Sequence, residues 1–248
     1  MGSAVDQRAA LQRLLADVRA VLLDFDGPVT DLFGDESTAP VARKIKTTVR
    51  ALWGTLDADV QECDDSHGIL RRLRDMYDRP APGPRDPRAL VAAEAIVTDY
   101  EYEAVKSAVP APRVGRLIDA LFDRKLPLVI VSNNADGPIW EFLKGERLQR
   151  QAKIDFVVGR DPFELRHMKP DPDPVYRAME HLGLPGGSCL LVGDQLTDLE
   201  AARAAGALFL GHTQSPERAA EMLDLGADCV VSSHEPLIEA VKSLPGPN

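Results

Sequence analysis

The feature that most restricts the fold of this 248-residue chain is a set of six short apolar runs separated by segments with helical spacing. The runs lie at 20–25, 126–132, 155–159, 188–194, 207–211 and 228–232. Helical patterns occupy 5–17, 112–124, 137–150, 172–183, 197–205, 215–225 and 235–243. Continuous apolar strands that alternate with helices indicate a parallel sheet with both faces covered. We therefore predict an α/β fold, a Rossmann-like doubly wound parallel sheet.

One long interruption breaks this alternation between about residues 31 and 109. Three stretches there have helical spacing, and no apolar run resembles a strand. They are "VARKIKTTVRALWG", "HGILRRLRDMYDR" and "DPRALVAAEAIVTDYEYEAV". We predict a helical domain, 29–109, inserted into an α/β core domain that consists of 1–28 and 110–248.

The first apolar run ends in two carboxylates, in the stretch "VLLDFDGPVT" from Val21 to Thr30. Asp24 and Asp26 point the same way if strand geometry persists, because side chains two apart share a face. Ligands of open α/β sheets bind beyond the carboxyl ends of the strands, which is where both acids lie. An Asp-Gly pair also occurs in ordinary turns, so this motif alone leaves both interpretations open.

Polar residues at other strand ends favour the functional interpretation. Ser132 ends the second run and Asn133 and Asn134 follow it, whereas Asp194 ends the fourth run and Asp198 lies four residues later. Lys169 precedes a proline in an extended segment that leads to a helix. Each feature has an ordinary explanation by itself, as loop, helix cap or solvated lysine. Together, several carboxylates suit Mg²⁺, and a lysine with hydroxyl or amide donors suits a phosphate.

Composition limits the partners of the chain. The net charge is −10 and no basic stripe stands out, so we expect no nucleic-acid partner. No apolar run approaches about 18 residues, so we expect no membrane span. Cys63, Cys189 and Cys229 are few and far apart, which indicates free thiols. The N-terminus has no signal-peptide pattern, so we expect a cytoplasmic protein, as a monomer or a homodimer.

Four segments, in this order, resemble the haloacid dehalogenase superfamily. "DFDGPVT" looks like its first motif, Ser132 its second, Lys169 its third and "GDQLTD" its fourth. The resemblance covers about 20–28 and 108–245, and it implies a helical cap inserted after the first motif. It also implies a Mg²⁺-dependent phosphatase that acts on a small phosphorylated metabolite and is similar to the phosphoglycolate phosphatases.

The resemblance assigns roles residue by residue. It places catalytic roles on Asp24, Asp26 and Lys169, phosphate contacts on Phe25, Gly27, Ser132, Asn133 and Lys169, and a magnesium ion on Asp24, Asp26, Asp194 and Asp198. Asp24 is the implied nucleophile, which forms an aspartyl-phosphate. Asp26 is the implied general acid and then the base, and Lys169 offsets repulsion between nucleophile and phosphate. Two positions depart from the family pattern, Pro28 and Gln195, and neither removes a required charge.

Several alternatives stay open at this point. The dehalogenase branch is disfavoured because it lacks an acid at the position of Asp26. The phosphonate-cleaving branch needs a cap lysine, for which Lys44 and Lys46 are the nearest candidates. A β-phosphoglucomutase-like phosphomutase and a non-catalytic binding protein that kept the fold are further alternatives. The five histidines show no ligand spacing, and we assign them no role.

Overall fold

The computed structural model describes residues 4–34 and 36–245. These residues form six β-strands in one sheet of order β3-β2-β1-β4-β5-β6, in which every neighbouring pair is parallel. The strands are β1 (Ala20–Leu23), β2 (Leu128–Val131), β3 (Phe156–Val158), β4 (Cys189–Gly193), β5 (Leu208–His212) and β6 (Cys229–Val231). All six apolar runs are therefore strands, and the predicted fold class is confirmed.

The apolar character of the strands follows from helices on both faces of the sheet. Alternate residues of β1 enter different clusters, since Val21 and Leu23 pack on one face and Ala20 and Leu22 pack on the other. The first face is covered by α1 (Ala4–Leu15), α6 (Val114–Asp123), α7 (Asp136–Lys144) and α11 (Glu235–Ser243). The second face is covered by α8 (Asp173–Leu182), α9 (Leu196–Ala205) and α10 (Pro216–Asp224).

The segment between β1 and β2 is helical, as its spacing predicts. It contains α2 (Ala39–Trp53), the short α3 (Ala58–Gln61), α4 (Ser66–Asp78) and α5 (Arg88–Ser107). These helices share a hydrophobic cluster of their own, to which the loop before α8 adds Leu165 and Met168. An inserted domain is expected to have a hydrophobic core of its own, as these helices do. We call the segment from α2 to α5 the cap. The exact domain boundaries remain a prediction, and residues 1–3, 35 and 246–248 within them lie outside the described residues.

The two chain segments that join the cap to the sheet run side by side. The Ala111 N–H donates to the Val29 carbonyl at 2.8 Å, and the Thr30 hydroxyl donates to the Val109 carbonyl at 2.9 Å. These bonds fix the cap entrance beside the end of β1, where Asp24 and Asp26 lie.

Three smaller expectations have clear outcomes. Cys63, Cys189 and Cys229 are free thiols, and all three are buried. The helix predicted over 137–150 ends early, at Lys144, where the Gly145 N–H closes the last turn on the Glu141 carbonyl at 3.0 Å. Within the described part of the chain, no helix combines the length and apolar character that a membrane span requires.

Candidate active site

All the predicted site residues except Phe25, whose side chain packs in the core, line one cleft at the carboxyl ends of β2, β1 and β4. The connections from β1 and from β4 run to opposite sides of the sheet there, which is where ligands of such sheets bind. The cleft has a volume of about 810 Å³, enough for a small metabolite. Its lining includes Asp24, Asp26, Ser132, Lys169 and Asp194.

A buried lysine bridges two carboxylates at the floor of the cleft. The Lys169 Nζ atom lies 2.7 Å from Asp24 Oδ1 and 2.5 Å from Asp198 Oδ1, and it donates to the Val131 carbonyl at 3.1 Å. Burial alone would lower the pKa of Lys169, but the charges of Asp198 and Asp24 outweigh it and raise the pKa. The lysine therefore stays cationic beside Asp24, as the charge argument for the site requires.

Asn133 holds the backbone of this lysine. Its Oδ1 atom accepts the Lys169 N–H at 2.7 Å, and its Nδ2 atom donates to the Lys169 carbonyl at 3.0 Å. The Lys169–Pro170 peptide bond is cis. The side chain of Asn133 thus positions the lysine in this structure, and its direct contact with phosphate remains a prediction.

Asp194 supplies a carboxylate oxygen with no partner among the described residues. Its Oδ1 atom is buried without a hydrogen bond, whereas Oδ2 accepts from Gln195 Nε2 at 2.7 Å. Burial and then the charge of Asp198 raise the pKa of Asp194 to about 7. Burial and Asp198 likewise raise the pKa of Asp24, against the effect of Lys169. A buried acceptor left unpaired in this way is unfavourable unless a cation or donor meets it.

These observations fit a divalent cation. Asp24, Asp194 and Asp198 each offer an oxygen, and the three atoms lie within 4.8 Å of one another. Three carboxylates beside one ammonium leave surplus negative charge, and oxygen ligands of this kind suit Mg²⁺. Asp198 is the least available of the three, because Oδ1 contacts Lys169 and Oδ2 accepts the Gln195 N–H at 3.0 Å.

Asp26 stands apart from this cluster and has the properties of a proton donor. Its Oδ1 atom accepts the Leu32 N–H at 2.7 Å, and its side chain lines the cleft. Burial raises the pKa of Asp26, although the Leu32 hydrogen bond and the charge of His67 act in the opposite direction. A raised pKa lets a carboxyl group keep a proton until it is needed.

The backbone around Gly27 differs in detail from the predicted phosphate cradle. The Phe25 N–H donates to Asp24 Oδ1 at 2.8 Å, and the Gly27 N–H donates to the Thr30 carbonyl at 2.7 Å. Both predicted donors therefore already have acceptors. The N–H groups of Asp26 and Asn133 have no acceptor among the described residues. Gly27 has a φ of +97°, and a Cβ atom there would meet Asp194 Cγ at 2.5 Å.

Ser132 lies at the end of β2 with its hydroxyl among polar groups. It is almost fully buried, and its Oγ atom donates to Asn134 Oδ1 at 2.9 Å while accepting the Asn134 N–H at 3.1 Å. To donate to a phosphate oxygen, this hydroxyl must give up its present acceptor, Asn134 Oδ1, which rotation about its C–O bond allows. The residue thus keeps the place that the second motif predicts, in the same cleft as Lys169.

A buried network behind this loop was not predicted from the sequence. Glu101 of the cap helix α5 accepts hydrogen bonds from Arg160 Nη1 at 2.8 Å, the Ala135 N–H at 2.9 Å and Asn134 Nδ2 at 3.2 Å. Its Oε1 atom also lies 2.9 Å from Nε2 of His67, which is on α4 and lines the cleft. Burial would raise the pKa of Glu101, but Arg160 and His67 outweigh it and lower the pKa to about 2. Glu101 is therefore anionic and joins the cap to the loop that carries Ser132.

Comparisons with known proteins decide the family. The model of the haloacid dehalogenase-like hydrolase family matches residues 18–206. The chain belongs to the haloacid dehalogenase-like hydrolase family. It is 28% identical to the phosphoglycolate phosphatase of Nitrosospira multiformis, over 91% of this chain and 95% of the relative. It is 30% identical to that of Neisseria gonorrhoeae, over 79% of this chain and 80% of the relative.

A solved structure shows the same fold at lower identity. The β-phosphoglucomutase of Clostridium difficile superposes with a TM-score of 0.60 and 17% identity, over 90% of this chain and 97% of the mutase. The mutase shares the fold, while the family and the likeness to phosphoglycolate phosphatases inferred from the motifs are confirmed by the family model and the curated relatives. The chain is an enzyme of the haloacid dehalogenase-like hydrolases, and its curated relatives place it with the phosphatases of that family.

The cap lysines considered from the sequence do not enter the cleft of this family member. Lys46 is buried and lies 3.0 Å from Asp64, and Lys44 is exposed. Neither is among the cleft-lining residues that the structure describes, so neither supports phosphonate cleavage. The cap residue that lines the cleft from a helix is His67, to which the sequence spacing gave no role. The sequence gives only a weak indication of such a role for His67, since a single histidine at the start of a helix is common.

Proposed function

We propose that this enzyme is a Mg²⁺-dependent phosphatase that hydrolyses a small phosphorylated metabolite through an aspartyl-phosphate on Asp24. The observation that carries the proposal is that Lys169 Nζ lies 2.7 Å from Asp24 Oδ1, in a cleft that the second acid, Asp26, also lines. A nucleophilic carboxylate can approach a phosphate dianion only if positive charge offsets their repulsion. At about 4 Å, that repulsion costs roughly 4 kcal/mol at an effective dielectric of about 20.

The chemistry takes place in two transfers. An oxygen of Asp24 attacks phosphorus, a new bond forms between them, and the bond from phosphorus to the leaving oxygen breaks. Asp26 gives its proton to that leaving oxygen, so the alcohol departs neutral. Asp26 then takes a proton from a water molecule, whose oxygen attacks the phosphorus of the aspartyl-phosphate. The bond from phosphorus to the Asp24 oxygen breaks, so that inorganic phosphate leaves and the Asp24 carboxylate is restored.

The phosphate oxygens need donors throughout these steps. We propose that the Ser132 hydroxyl and Lys169 provide two of them. The backbone N–H groups of Asp26 and Asn133, which lack acceptors among the described residues, are better placed to contribute than those of Phe25 and Gly27. A contribution from Phe25 or Gly27 requires its N–H to exchange its present acceptor for phosphate.

Asp24, Asp194 and the Asp26 carbonyl would hold Mg²⁺, with Asp198 in support. The unpaired Asp194 Oδ1 atom is the feature of this chain that best supports such an ion. When bound, the cation neutralises charge on the phosphate and orients it for in-line attack.

The curated relatives suggest which substrate to test first. Those cited above are named phosphoglycolate phosphatases, so phosphoglycolate, a short phosphorylated acid, heads the panel. The cleft volume of about 810 Å³ suits a substrate of that class. Action in the cytoplasm and a monomeric or homodimeric state remain predictions from the sequence.

The deciding experiment measures phosphate release from a panel of phosphorylated metabolites, with Mg²⁺ and with EDTA, for wild type and Asp24→Asn. We expect Mg²⁺-dependent release by wild type and none by the variant. The same panel includes phosphosugar isomerisation, because a β-phosphoglucomutase shares the fold. Isomerisation without net phosphate release would overturn the phosphatase proposal in favour of a mutase. Absence of both activities would favour a binding protein that kept the fold.

A further inference from the structure

His67 extends from the first turn of α4 into the cleft that holds Asp24 and Asp26. Its side chain is 20% exposed. Most of the described residues that line the cleft belong to the loops that follow the strands or to the two segments that enter and leave the cap. Among them, His67 is the one that lies on a cap helix. A residue in this position faces whatever part of a substrate extends away from the phosphate.

The contact with Glu101 determines which ring nitrogen is available to a ligand. Glu101 is fully buried and ionised, and a carboxylate can only accept hydrogen bonds. Nε2 of His67, 2.9 Å from Glu101 Oε1, must therefore carry a proton and donate it. The other nitrogen, Nδ1, has no hydrogen-bond partner among the described residues and is not among their buried unpaired atoms. Nδ1 is thus the nitrogen that a ligand can reach.

The charges around the cleft show what His67 can offer. Its described lining contains five carboxylates, those of Asp24, Asp26, Asp31, Asp194 and Asp198. The lining side chains able to carry positive charge are those of Lys169, His67 and His212. Lys169 contacts Asp24 and Asp198, and burial followed by the charge of His234 lowers the pKa of His212 to about 4.

Among these cleft-lining residues, His67 is the one suitable partner for a second anionic group on a substrate. The surrounding carboxylates would repel that group unless a cationic donor contacted it. His67 can be that donor, because Glu101 occupies Nε2 and an imidazole that carries a proton on both nitrogens presents Nδ1–H on the side away from Glu101. The Glu101–Arg160 pair holds the carboxylate in place, since Arg160 donates to it at 2.8 Å.

We propose that His67, oriented by Glu101, binds the substrate at its non-phosphate end and selects phosphomonoesters whose leaving group carries a carboxylate. This inference rests on the proposed phosphatase function and adds the residue that sets substrate choice. His67 recognises the substrate through Nδ1, while the chemistry at phosphorus belongs to Asp24 and Asp26. Its loss should therefore weaken binding of the acidic substrate without abolishing hydrolysis.

The test compares two phosphomonoesters that differ only in whether the leaving group carries a carboxylate. Phosphoglycolate carries a carboxylate, and 2-hydroxyethyl phosphate carries a neutral hydroxymethyl group in its place. Wild type, His67→Gln and His67→Asn are assayed for kcat and KM on both. Glutamine places its amide near the position of Nε2 and keeps the contact with Glu101, whereas asparagine places its amide near Nδ1. His181→Gln, at an exposed position on α8, is the matched control.

We expect wild type to prefer phosphoglycolate by at least about 10-fold in kcat/KM, the ratio that one well-placed charged contact provides. His67→Gln should lose most of that preference through a higher KM for phosphoglycolate, so that kcat/KM falls at least about 3-fold more for phosphoglycolate than for 2-hydroxyethyl phosphate. His67→Asn should keep part of the preference, and His181→Gln should keep all of it. Thermal unfolding of each variant checks that the fold is unchanged.

The outcomes separate this inference from the phosphatase proposal. If wild type hydrolyses neither these two substrates nor other phosphomonoesters, both the proposed function and this inference are wrong. If wild type is a phosphatase without preference for the acidic substrate, His67 does not select a carboxylate. Equal losses on both substrates in His67→Gln would also overturn the inference, because they would indicate a general effect on the site.

Discussion

Glu101 and Arg160 form an ion pair in which neither side chain has exposed surface, with Oε1 and Nη1 2.8 Å apart. The pair joins cap helix α5 to the loop that follows β3. Arg160 Nη1 also donates to the Asn133 carbonyl at 2.8 Å, and Nη2 reaches Glu94 Oε1 at 2.9 Å. One buried guanidinium thus contacts two acids of the cap and the backbone of the Ser132 loop, so it ties the cap to the candidate site.

We expect Glu101→Gln to lower the free energy of unfolding by about 3–5 kcal/mol, because it leaves the charge of Arg160 buried with only partial compensation. Urea unfolding at pH 7 measures the change. Glu103→Gln is the matched control, since Glu103 lies on the same helix in an exposed pair with Lys106. Exposed pairs contribute about 0–1 kcal/mol, so the control should stay close to wild type. Similar losses in both variants would contradict a special role for the buried pair.

The sequence predicts the residues that line the site better than it predicts the residues that hold them in position. Asp24, Ser132 and Asp194 each follow a strand, and parallel strands bring their carboxyl ends to one edge, so their meeting follows from topology. Lys169 follows no strand. Its position beside Asp24 depends on Asn133 and the Val131 carbonyl, so the set of polar residues and the motif resemblance indicated it, whereas the strand topology did not.

The Glu101–Arg160 pair could not be predicted, because its partners are 59 residues apart and belong to different segments. One signal was present in α5. Val97, Glu101 and Val105 follow one another at intervals of four, so an acid occupies a position of the buried stripe. Such a pattern indicates a buried charge that needs a partner, but it does not say where on the chain the partner lies.

Gly27 and Gly54 provide a matched pair of substitutions. Both have positive φ, +97° and +79°, so alanine strains the backbone at either position by about 1–2 kcal/mol. Only at Gly27 does the new Cβ atom meet a side chain, that of Asp194, whereas nothing lies within 4 Å at Gly54. We expect Gly27→Ala to lower kcat/KM for phosphate release by at least about 100-fold, since displacement of a site group by about 1 Å costs that much. Gly54→Ala should lose only stability, as urea unfolding and steady-state kinetics on both variants would reveal.

Binding of Mg²⁺ should be visible in stability without any substrate. A ligand that binds only the folded state at 100 times its Kd adds about 2.7 kcal/mol to the free energy of unfolding. We expect the melting temperature of wild type to rise on addition of Mg²⁺ and to fall back with EDTA. Asp194→Asn should lose this response, because the negative charge beside the ion disappears and one carboxylate oxygen becomes an amide group that cannot bind a cation. Asp224→Asn, at an exposed position on α10, should keep it, and an unchanged response in Asp194→Asn would place the ion elsewhere.

Two stacked histidines lie beside the first motif. The rings of His212 and His234 are 4.4 Å apart, and Nε2 of His234 donates to the Pro28 carbonyl at 2.7 Å. The Nδ1 atom of His234 is buried without a partner. Burial lowers the pKa of His234, and burial and His234 together lower the pKa of His212 to about 4. Both rings are therefore neutral in the folded protein at pH 7.

A lowered histidine pKa means that the unfolded chain binds protons more readily than the folded one. The stability from neutral His212 is complete above about pH 6.5 and is lost as the pH falls toward about 4. We expect wild type to lose about 1–2 kcal/mol more than His212→Gln between pH 7 and pH 5, measured by urea unfolding at each pH. The exposed His181→Gln variant should follow wild type, because its histidine is not in the stacked pair. Parallel pH dependence of wild type and His212→Gln would show that protonation of this ring does not oppose folding.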